Sequence, residues 1–437
     1  MLRNQSDLVG LNRSSLSNQL SAINDSVAKP VPLYNMDGLV EENKLTWFLK
    51  NVGSVCQAKY KPYPVYSGDN TGIFKIAKPS TEPVSIAILS DWASYTAESQ
   101  LVAKQAGIQD YSIHLGDTYY VGNDKEIAEN FNTDQGGTWP YGTLGSFAMI
   151  GNHEMYSSGK SYFTQLLPYM GAYAPDQEAP TQVQQASFFT LENEYWRIIG
   201  LDTGYDSLTG LLGLTPNTDL DLTPEQKTWL QNTVKLSDDN RGIIILSHHQ
   251  CFSAFESEFP KPAAYIASLL PAGRDIIWLW GHEHYFSVYG PNKMSNGGNL
   301  FARCIGNSGM PVELYTTDGG VKRPRNNNPA SGENRNLVLY DSRRRQVLNG
   351  NIPLGYNGYL IMTLQANTMT ISYFDDNNLG EAGRKVLEEK WTIDNTTGAL
   401  NGTSINDFTI NGDQPAELQL SLFGGYLSDA ITKEPHP

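Results

Sequence analysis

The chain has 437 residues, of which 40% are hydrophobic and 18% charged, so it can bury a large core without disulfides or structural metals. Its formal net charge of −15 argues against broad, non-specific binding to nucleic acid or anionic membranes, although bound cations can still attract an anionic substrate to one cleft. The three cysteines, Cys56, Cys251 and Cys304, are far apart and odd in number, which predicts no disulfide framework.

Residues 1–80 are predicted to form an N-terminal extension that is partly helical. Spaced Leu and Ile residues favour helices over Leu8–Val27 and Asn43–Val55, whereas the Pro- and Tyr-rich stretch Lys61–Gly72 is typical of a loop. The first residues contain no basic segment followed by an apolar run, and no stretch is apolar enough to cross a membrane. We therefore expect a cytoplasmic protein, or one exported with its leader removed.

Short apolar runs recur from residue 84, and they are typical of strands that lie inside a sheet covered by helices. The runs are Val84–Leu89, Tyr111–Leu115, Phe147–Ile150, Arg197–Leu201, Gly242–Leu246, Asp275–Trp280 and Asn299–Ile305. Thr223–Lys235 is the clearest helix between them, because Thr223 can cap it, Pro224 suits its first position and Gln226 completes a capping box. Its buried side is predicted to contain Trp229, Leu230 and Val234.

The main domain is predicted to span residues 81–395. A long loop rich in Gly, Asn and Arg interrupts it at residues 312–350. Tyr359–Leu364 and Met369–Tyr373 then form a predicted hairpin over a short turn, and residues 396–437 form a polar tail that packs on the core.

Polar clusters follow five of the predicted strands. They contain Asp91; Asp117; Asn152 and His153; His248 and His249; and His282 and His284. Because ligands bind at the carboxyl ends of strands in open sheets, we expect these clusters to meet in one cleft. Taken singly, each cluster has an ordinary alternative as a turn or a helix cap. The chain has only seven histidines, however, and five of them lie in these clusters, which favours a common site.

The donor types in these clusters indicate a metal site. Carboxylate, amide oxygen and imidazole groups suit Fe, Mn and Zn. Two such ions, about 3.5–4 Å apart, can clamp a phosphate, generate hydroxide and stabilise the displaced oxygen. The sequence contains neither G-x-S-x-G nor the phosphate-binding G-x-x-x-x-G-K, so no other nucleophilic system competes with this interpretation.

These motifs resemble the five sequence blocks of the calcineurin-like metallophosphoesterases. The blocks are Ser-Asp-Trp-Ala at 90–93, Gly-Asp-Thr-Tyr-Tyr at 116–120, Gly-Asn-His-Glu at 151–154, Ile-Leu-Ser-His at 245–248 and Gly-His-Glu-His at 281–284. The match covers roughly residues 84–310, and the 359–373 hairpin resembles the strands that finish the family's sandwich. The resemblance implies an α/β fold of four αββα layers, in which helices flank two mixed β-sheets and the site lies at one sheet edge.

One branch of the family, the purple acid phosphatases, is the most similar. The tyrosine three residues after Asp117 is typical of that branch, as are Leu-Thr-Pro-Glu-Gln-Lys-Thr-Trp-Leu at 222–230 and Leu-Asp-Thr at 201–203. In other branches a histidine ligand lies two residues after the first aspartate, where this chain has Ala93. Tyr120 then becomes the natural replacement, with Tyr119, or simple aromatic packing of the pair, as the alternatives. Ser90 and Ala93 also replace two glycines that are usual in the first block.

The resemblance implies a role for each residue. Asp91, Asp117, Tyr120 and His284 would hold a first metal ion, and Asp117, Asn152, His248 and His282 a second, with Asp117 bridging both. His153 would contact the phosphate and protonate the leaving group. Because tyrosine has a pKa near 10, a tyrosine ligand favours a strongly acidic ion, so we expect Fe(III) plus a divalent Fe, Zn or Mn ion.

The remaining polar residues are assigned less directly. In an extended chain His249 would point away from His248, so we expect it to support the ligands from outside or to face the substrate, and not to bind metal. The other expected substrate contacts are His153 and the metal ligand Asn152. Cys251 is interpreted as a small buried residue and Asp202 as a structural one. Four cations could reach the substrate or simply be solvated: Arg303, Lys322, Arg323 and Arg325.

The resulting hypothesis is an acid-phosphatase-like monoesterase that uses a hydroxide held by two metal ions. The alternative is a phosphodiesterase or nucleotide pyrophosphatase with the same site, and a non-catalytic binding module is a third possibility. The expected partner is a phosphorylated small molecule or a nucleotide, without a stable nucleic-acid complex or a membrane.

Overall fold

The computed structural model describes residues 58–174, 179–209, 215–310, 312, 336–341, 355–376, 382–402, 409–410 and 418–420. The helices predicted over Leu8–Val27 and Asn43–Val55, most of the 312–350 loop and most of the tail lie outside these residues. Within the described part of residues 1–80, the strand Ile73–Lys75 pairs in parallel with Phe189–Glu192. The N-terminal extension therefore contributes an edge strand to one of the two large sheets.

One large sheet has nine strands within the described residues. In spatial order they are Ile73–Lys75, Phe189–Glu192, Trp196–Leu201, Gly242–Ser247, Ile276–Trp280, Asn299–Ile305, Phe286–Lys293, Leu337–Asp341 and Leu418–Leu420. Its centre is parallel: Gly242–Ser247 pairs in parallel with Trp196–Leu201 on one side and with Ile276–Trp280 on the other. Every residue of these three strands is buried, as continuous apolar runs predict.

The second large sheet has ten strands in the part of the chain that the structure describes. In spatial order nine of them are Ala399–Gly402, Arg384–Asp394, Thr368–Asp375, Gly358–Gln365, Val84–Leu89, Tyr111–His114, Gly145–Ala148, Gly171–Ala172 and Gln182–Val183, and Thr409–Ile410 pairs with Arg384–Asp394. The predicted hairpin is confirmed, since Gly358–Gln365 pairs antiparallel with Thr368–Asp375. Gly358–Gln365 also pairs antiparallel with Val84–Leu89, which joins the hairpin to three parallel strands.

Helices cover the outer faces of both sheets. The α-helices are Ala97–Ala106, Asp124–Phe131, Asn152–Met155, Pro224–Trp229 and Pro260–Leu269. Shorter 3₁₀ or π turns are Thr133–Gln135, Tyr162–Leu166, Leu167–Tyr169, Leu230–Val234 and Leu236–Asp238, and a two-stranded ribbon pairs Leu208–Thr209 with Thr215–Pro216. None of the described helices is long and apolar enough to span a membrane.

The apolar clusters confirm the four-layer α/β arrangement. The largest cluster lies between the sheets and draws on both, for example Ile86 and Ile88 from one and Ile244 and Leu246 from the other. Alternate residues of the same strands, such as Ala87 and Ile245, belong to two outer clusters that contain helix side chains. The alternation follows from strand geometry, because successive side chains point to opposite faces.

The helix predicted over Thr223–Lys235 is confirmed in position but not in its cap. The Thr223 hydroxyl accepts a hydrogen bond from the Gln226 N–H at 3.2 Å, and the chain continues from Pro224–Trp229 into a π turn over Leu230–Val234. The Gln226 side chain does not complete the capping box, because it pairs with the main chain of Asp202 instead, at 2.9 and 3.0 Å. The helix is thereby tied to the end of the adjacent strand.

Candidate metal centre

The polar clusters converge where strand ends of the two sheets meet. Asp91, Asp117 and Asn152 follow three parallel strands of the ten-stranded sheet, which are Val84–Leu89, Tyr111–His114 and Gly145–Ala148. His248 and His282 follow two parallel strands of the nine-stranded sheet, which are Gly242–Ser247 and Ile276–Trp280. The sequence predicts that these residues meet at the carboxyl ends of strands. In the structure they do so because the two sheets pack face to face and their strand ends meet.

Three of the converging residues have left-handed backbones. The φ angles are 56° at Asp91, 71° at Asp117 and 64° at His282. Side chains with a Cβ adopt this region at a cost of roughly 1–3 kcal/mol each, and such residues cluster at functional sites. The backbone therefore turns sharply directly after each strand and directs the side chain into the cluster.

The Asp91 carboxylate is fully buried and contacts groups from both sheets. Its Oδ2 accepts hydrogen bonds from the Ser90 hydroxyl at 2.7 Å and the His282 main-chain N–H at 2.8 Å. Its Oδ1 accepts one from the Tyr119 hydroxyl at 2.7 Å and lies 3.4 Å from His284 Nε2. Asp91 thus holds the turn at His282 close to the end of the strand Val84–Leu89.

Asp117 occupies the centre of the cluster. Its Oδ1 accepts a hydrogen bond from the His153 main-chain N–H at 2.9 Å and lies 3.3 Å from His248 Nε2. Its Oδ2 accepts one from the Tyr119 hydroxyl at 3.1 Å. The main-chain N–H of Asp117 donates to the buried Glu154 carboxylate at 3.2 Å, so the residue is held from both its backbone and its side chain.

The tyrosine hydroxyl in the cluster belongs to Tyr119, which differs from the expectation of Tyr120. Besides its bonds to Asp91 and Asp117, the Tyr119 hydroxyl lies 2.9 Å from His284 Nε2. Tyr120 borders the site through its main chain: its N–H donates to Glu126 at 2.6 Å, and its carbonyl accepts from His153 Nδ1 at 2.8 Å. The geometry favours the alternative, Tyr119. Residue spacing alone cannot establish which of two adjacent rings points into the cluster.

Imidazole and amide groups complete the cluster. His248 Nδ1 donates to the Leu115 carbonyl at 3.0 Å, while its Nε2 lies 3.1 Å from the Asn152 side-chain oxygen. The ring centroids of His248 and His282 are 5.2 Å apart. The structure therefore brings together all the predicted ligand positions, with Tyr119 in place of Tyr120.

His249 also lies in the cluster, contrary to the expectation that it points away from His248. Its ring centroid is 4.8 Å from that of His248 and 4.5 Å from that of His282. The expectation was wrong because it assumed an extended chain, whereas the strand ends at Ser247 and the chain bends at residues 248 and 249.

The buried charges make this pocket attractive to cations. Burial lowers the pKa of His248, but the carboxylates of Asp117 and Asp91 outweigh burial and raise the pKa to about 9. Burial conversely raises the pKa of Asp117, but the charges of His248 and His153 outweigh it and hold the pKa well below its usual value. Burial, followed by the charges of Asp117 and Asp91, raises the pKa of Tyr119 well above its usual range.

The donor set fits metal ions. Potential ligand atoms of Asp91, Asp117 and His248 all lie within 4.8 Å of one another. Nitrogen atoms of His248, His249 and His282 form a second such group, and the two groups share His248. Carboxylate and imidazole donors suit divalent Fe, Mn and Zn. Two adjacent groups that share a residue are the arrangement expected for a metal pair.

Comparison with known proteins agrees with this arrangement. Residues 84–286 match the family described as calcineurin-like phosphoesterase. These residues form a calcineurin-like phosphoesterase domain. A domain of this family implies metal-dependent hydrolysis of phosphate esters and a pair of divalent metal ions, for which the cluster of Asp and His residues provides donors.

Two solved structures are similar to the chain. PhoD is 12% identical, with 77% of this chain and 74% of that chain covered and a TM-score of 0.45. GAP50, described as the anchor in the inner membrane complex of Plasmodium, is 13% identical, with 71% of this chain and 89% of that chain covered and a TM-score of 0.45. No curated protein matches the chain.

Further residues support the cluster, and sequence reasoning missed them. Ser308 follows the strand Asn299–Ile305, and its hydroxyl and N–H bond the main chain of Ser90 at 3.1 and 3.2 Å. The Gly-Asn-Ser-Gly sequence at 306–309 is a sixth polar cluster at a strand end, which is the signal that could have revealed it. Glu283, between the two histidines of Gly-His-Glu-His, faces away from them and accepts from Trp280 Nε1 at 2.9 Å and from the Ser253 hydroxyl.

Two glycines in the domain's motifs have no space for a side chain. A Cβ added to Gly151 would lie 2.1 Å from Asp117 Oδ1, and one added to Gly281 would lie 1.7 Å from Ser90 Oγ. The glycines therefore let these turns approach the carboxylates that the cluster depends on.

The cationic substrate contact considered for Arg303 is wrong. Arg303 is buried and its guanidinium pairs with the Glu389 carboxylate at 2.6 and 2.9 Å. Because the Arg303 guanidinium is buried in the interior of the sandwich, its charge needs an anionic partner there. Lys322, Arg323 and Arg325 lie outside the described residues.

Asp202 is structural, as expected, because it accepts from the N–H groups of Gly204 and Tyr205 at 2.9 and 2.8 Å.

Proposed function

We propose that this chain is an acid-phosphatase-like monoesterase that hydrolyses a phosphorylated small molecule or nucleotide at two metal ions. The observation that carries the proposal is the shared cluster, in which Asp117 and His248 contact each other beside Asp91 on one side and His282 on the other. One residue set can therefore serve two adjacent cations. The metal pair would supply an activated water and neutralise charge on the phosphate.

The proposed ligand sets follow the geometry of the cluster. Around the first position are Asp91, Asp117, Tyr119 and His284, and around the second are Asp117, Asn152, His248 and His282. Asp117 belongs to both sets because its two oxygens face different partners, with His248 near Oδ1 and Tyr119 at Oδ2. The proposed ions are Fe(III) and a divalent Fe, Zn or Mn ion, since a tyrosine ligand favours an acidic cation.

His153 is proposed to protonate the leaving group. A carbonyl oxygen can only accept, so the bond of Nδ1 to the Tyr120 carbonyl places a proton on Nδ1. The other nitrogen, Nε2, lies 3.8 Å from Asp117 Oδ2, and the side chain is 22% exposed. In the charged ring Nε2 carries a proton towards the cluster and the solvent, where it can reach the departing oxygen of a phosphate ester.

The monoesterase proposal is tested by comparing p-nitrophenyl phosphate with bis(p-nitrophenyl) phosphate as substrates of the metal-loaded protein. We expect a higher kcat/KM for the monoester. Faster cleavage of the diester would establish the phosphodiesterase alternative at the same site. Cleavage of neither ester would point to a binding module.

Exchanging Tyr119 for Phe should weaken metal binding, whereas Tyr120→Phe should not. The hydroxyl removed in the first variant contacts both carboxylates of the cluster, whereas in the second the main-chain bonds that connect residue 120 to the site remain. A protein containing Fe(III) should show a visible phenolate absorption band that Tyr119→Phe abolishes. Loss of the band in Tyr120→Phe alone would restore the assignment to Tyr120.

A further inference from the structure

His249 is a buried imidazole that the proposed ligand sets do not use. A nitrogen of His249, one of His248 and one of His282 all lie within 4.8 Å of one another. Nitrogens that bind one ion at about 2.1 Å in a tetrahedral arrangement lie about 3.4 Å apart, so the distances between these three nitrogens would have to shorten by up to about 1.4 Å to close the group. With that shift, His249 can share an ion with its two neighbours.

The surroundings of His249 orient its ring as those of His248 do. His248 uses Nδ1 to contact the Leu115 carbonyl, which leaves Nε2 for the cluster. His249 Nδ1 lies 3.3 Å from the Thr203 hydroxyl, which also accepts from the His249 main-chain N–H at 2.9 Å. Nε2 is then the nitrogen available to a ligand. Histidines that bind metals are typically oriented by a bond at the other ring nitrogen.

The backbone and a neighbouring ring hold His249 in place. The Ser247 hydroxyl donates to the His249 carbonyl at 2.8 Å, and the Phe259 ring lies 5.3 Å from the imidazole. Thr203 follows the strand Trp196–Leu201, which neighbours the strand that ends at Ser247. Two adjacent strand ends therefore support one imidazole, which is the rigidity that a ligand position needs.

We propose that His249 is an additional imidazole ligand of the second metal position, next to His248 and His282. This inference rests on the proposed metal pair at the same site. It makes the second position rich in nitrogen donors. Such a position should prefer Zn²⁺ over Mn²⁺, because imidazole suits Zn and the affinity of nitrogen sites rises towards the later metals.

The test is calorimetric titration of the metal-free full-length chain with Zn²⁺. For the unmodified chain we expect two ions per chain. For His249→Ala we expect the affinity of one of the two ions to fall at least about 10–100-fold, the effect typical of losing even an outer contact of a metal site, while the other ion is retained. Added imidazole should restore part of the lost affinity, which a purely structural role would not allow.

His153→Ala is the matched control, because it removes a histidine of the same site that is not a proposed ligand. It should lose activity but keep both Zn²⁺ affinities. Thr203→Val is a second variant that keeps the imidazole but removes the hydroxyl that contacts both its Nδ1 and the His249 main-chain N–H. It should weaken the same ion by a smaller factor.

Wild-type affinity for both ions in His249→Ala and Thr203→Val would overturn the inference and leave the proposed function intact. So would an equal loss of affinity in His153→Ala. If His249→Ala does not fold, unchanged Zn²⁺ binding in Thr203→Val is by itself sufficient to reject the inference. Absence of metal binding by the unmodified chain would be a different result, because it rejects the metal pair and with it the proposed function.

Discussion

Replacing Asp117 by Asn should lower kcat/KM for phosphate esters by more than about 10⁴. A single proton-transfer group contributes at most about this factor, and Asp117 is proposed to hold both metal ions. Asn has nearly the same shape, so the fold should survive. The variant loses the negative charge, however, and one oxygen becomes an N–H₂ donor that faces the His153 N–H or the Tyr119 hydroxyl. Because both proposed ions share this carboxylate, we expect metal content and activity to fall together.

Asp110→Asn is the control for this variant. Asp110 and Asp117 flank the same strand, Tyr111–His114, but Asp110 precedes the strand and pairs with Lys78 at 2.8 Å. This change should leave metal content and turnover as they are in the unmodified chain. An Asp117→Asn protein that binds two ions and turns over at the normal rate would show that the bridging role is wrong. Metal analysis and steady-state kinetics on the three proteins decide the matter.

Glu389→Ala should destabilise the chain by about 3–5 kcal/mol, the cost of leaving one member of a buried ion pair without its partner. Glu389 and Arg303 are 1% and 2% exposed and lie on different sheets. The carboxylate also accepts a hydrogen bond from Tyr373 at 2.5 Å. Removing it leaves a guanidinium charge in the interior between the sheets. Denaturant unfolding measures the loss of stability. The unfolding midpoint should fall, whereas the folded variant should keep its metal content.

Two further variants separate the buried charge from the loss of contacts. The double change Arg303→Met and Glu389→Met removes both charges, so it should recover much of the stability that Glu389→Ala loses. Lys385→Ala breaks the more exposed pair with Glu388 on the same strand and should cost at most about 1 kcal/mol. Equal destabilisation by the double variant and by Glu389→Ala would contradict the explanation by an unpaired charge.

The sequence predicts much of the fold because strand cores and strand ends follow simple rules. Continuous apolar runs such as Gly242–Ser247 are buried on both faces, and the polar residues directly after them gather at carboxyl ends. Asp91 and His282 could therefore be placed in one site before any coordinates. That their strands belong to different sheets follows from long-range pairing, which residue-residue spacing does not encode.

The differences between prediction and structure concern side chains whose direction depends on local backbone turns or distant partners. The motif spacing favours Tyr120 over Tyr119, but the path of the loop after Asp117 decides which hydroxyl enters the cluster. His249 lies near His248 because the strand ends at Ser247 and the chain bends at the two histidines. Arg303 is buried because Glu389, 86 positions along the chain, supplies the opposite charge. Such pairings arise from tertiary structure and leave no local pattern.

Metal titration of the metal-free chain tests the central claim most directly. Hydrolysis of p-nitrophenyl phosphate should be absent without metal and should rise with added ions until two are bound per chain. Equal hydrolysis by the metal-free chain, or a chain that holds two ions and cleaves no phosphate ester, would contradict a binuclear phosphoesterase site built on Asp117.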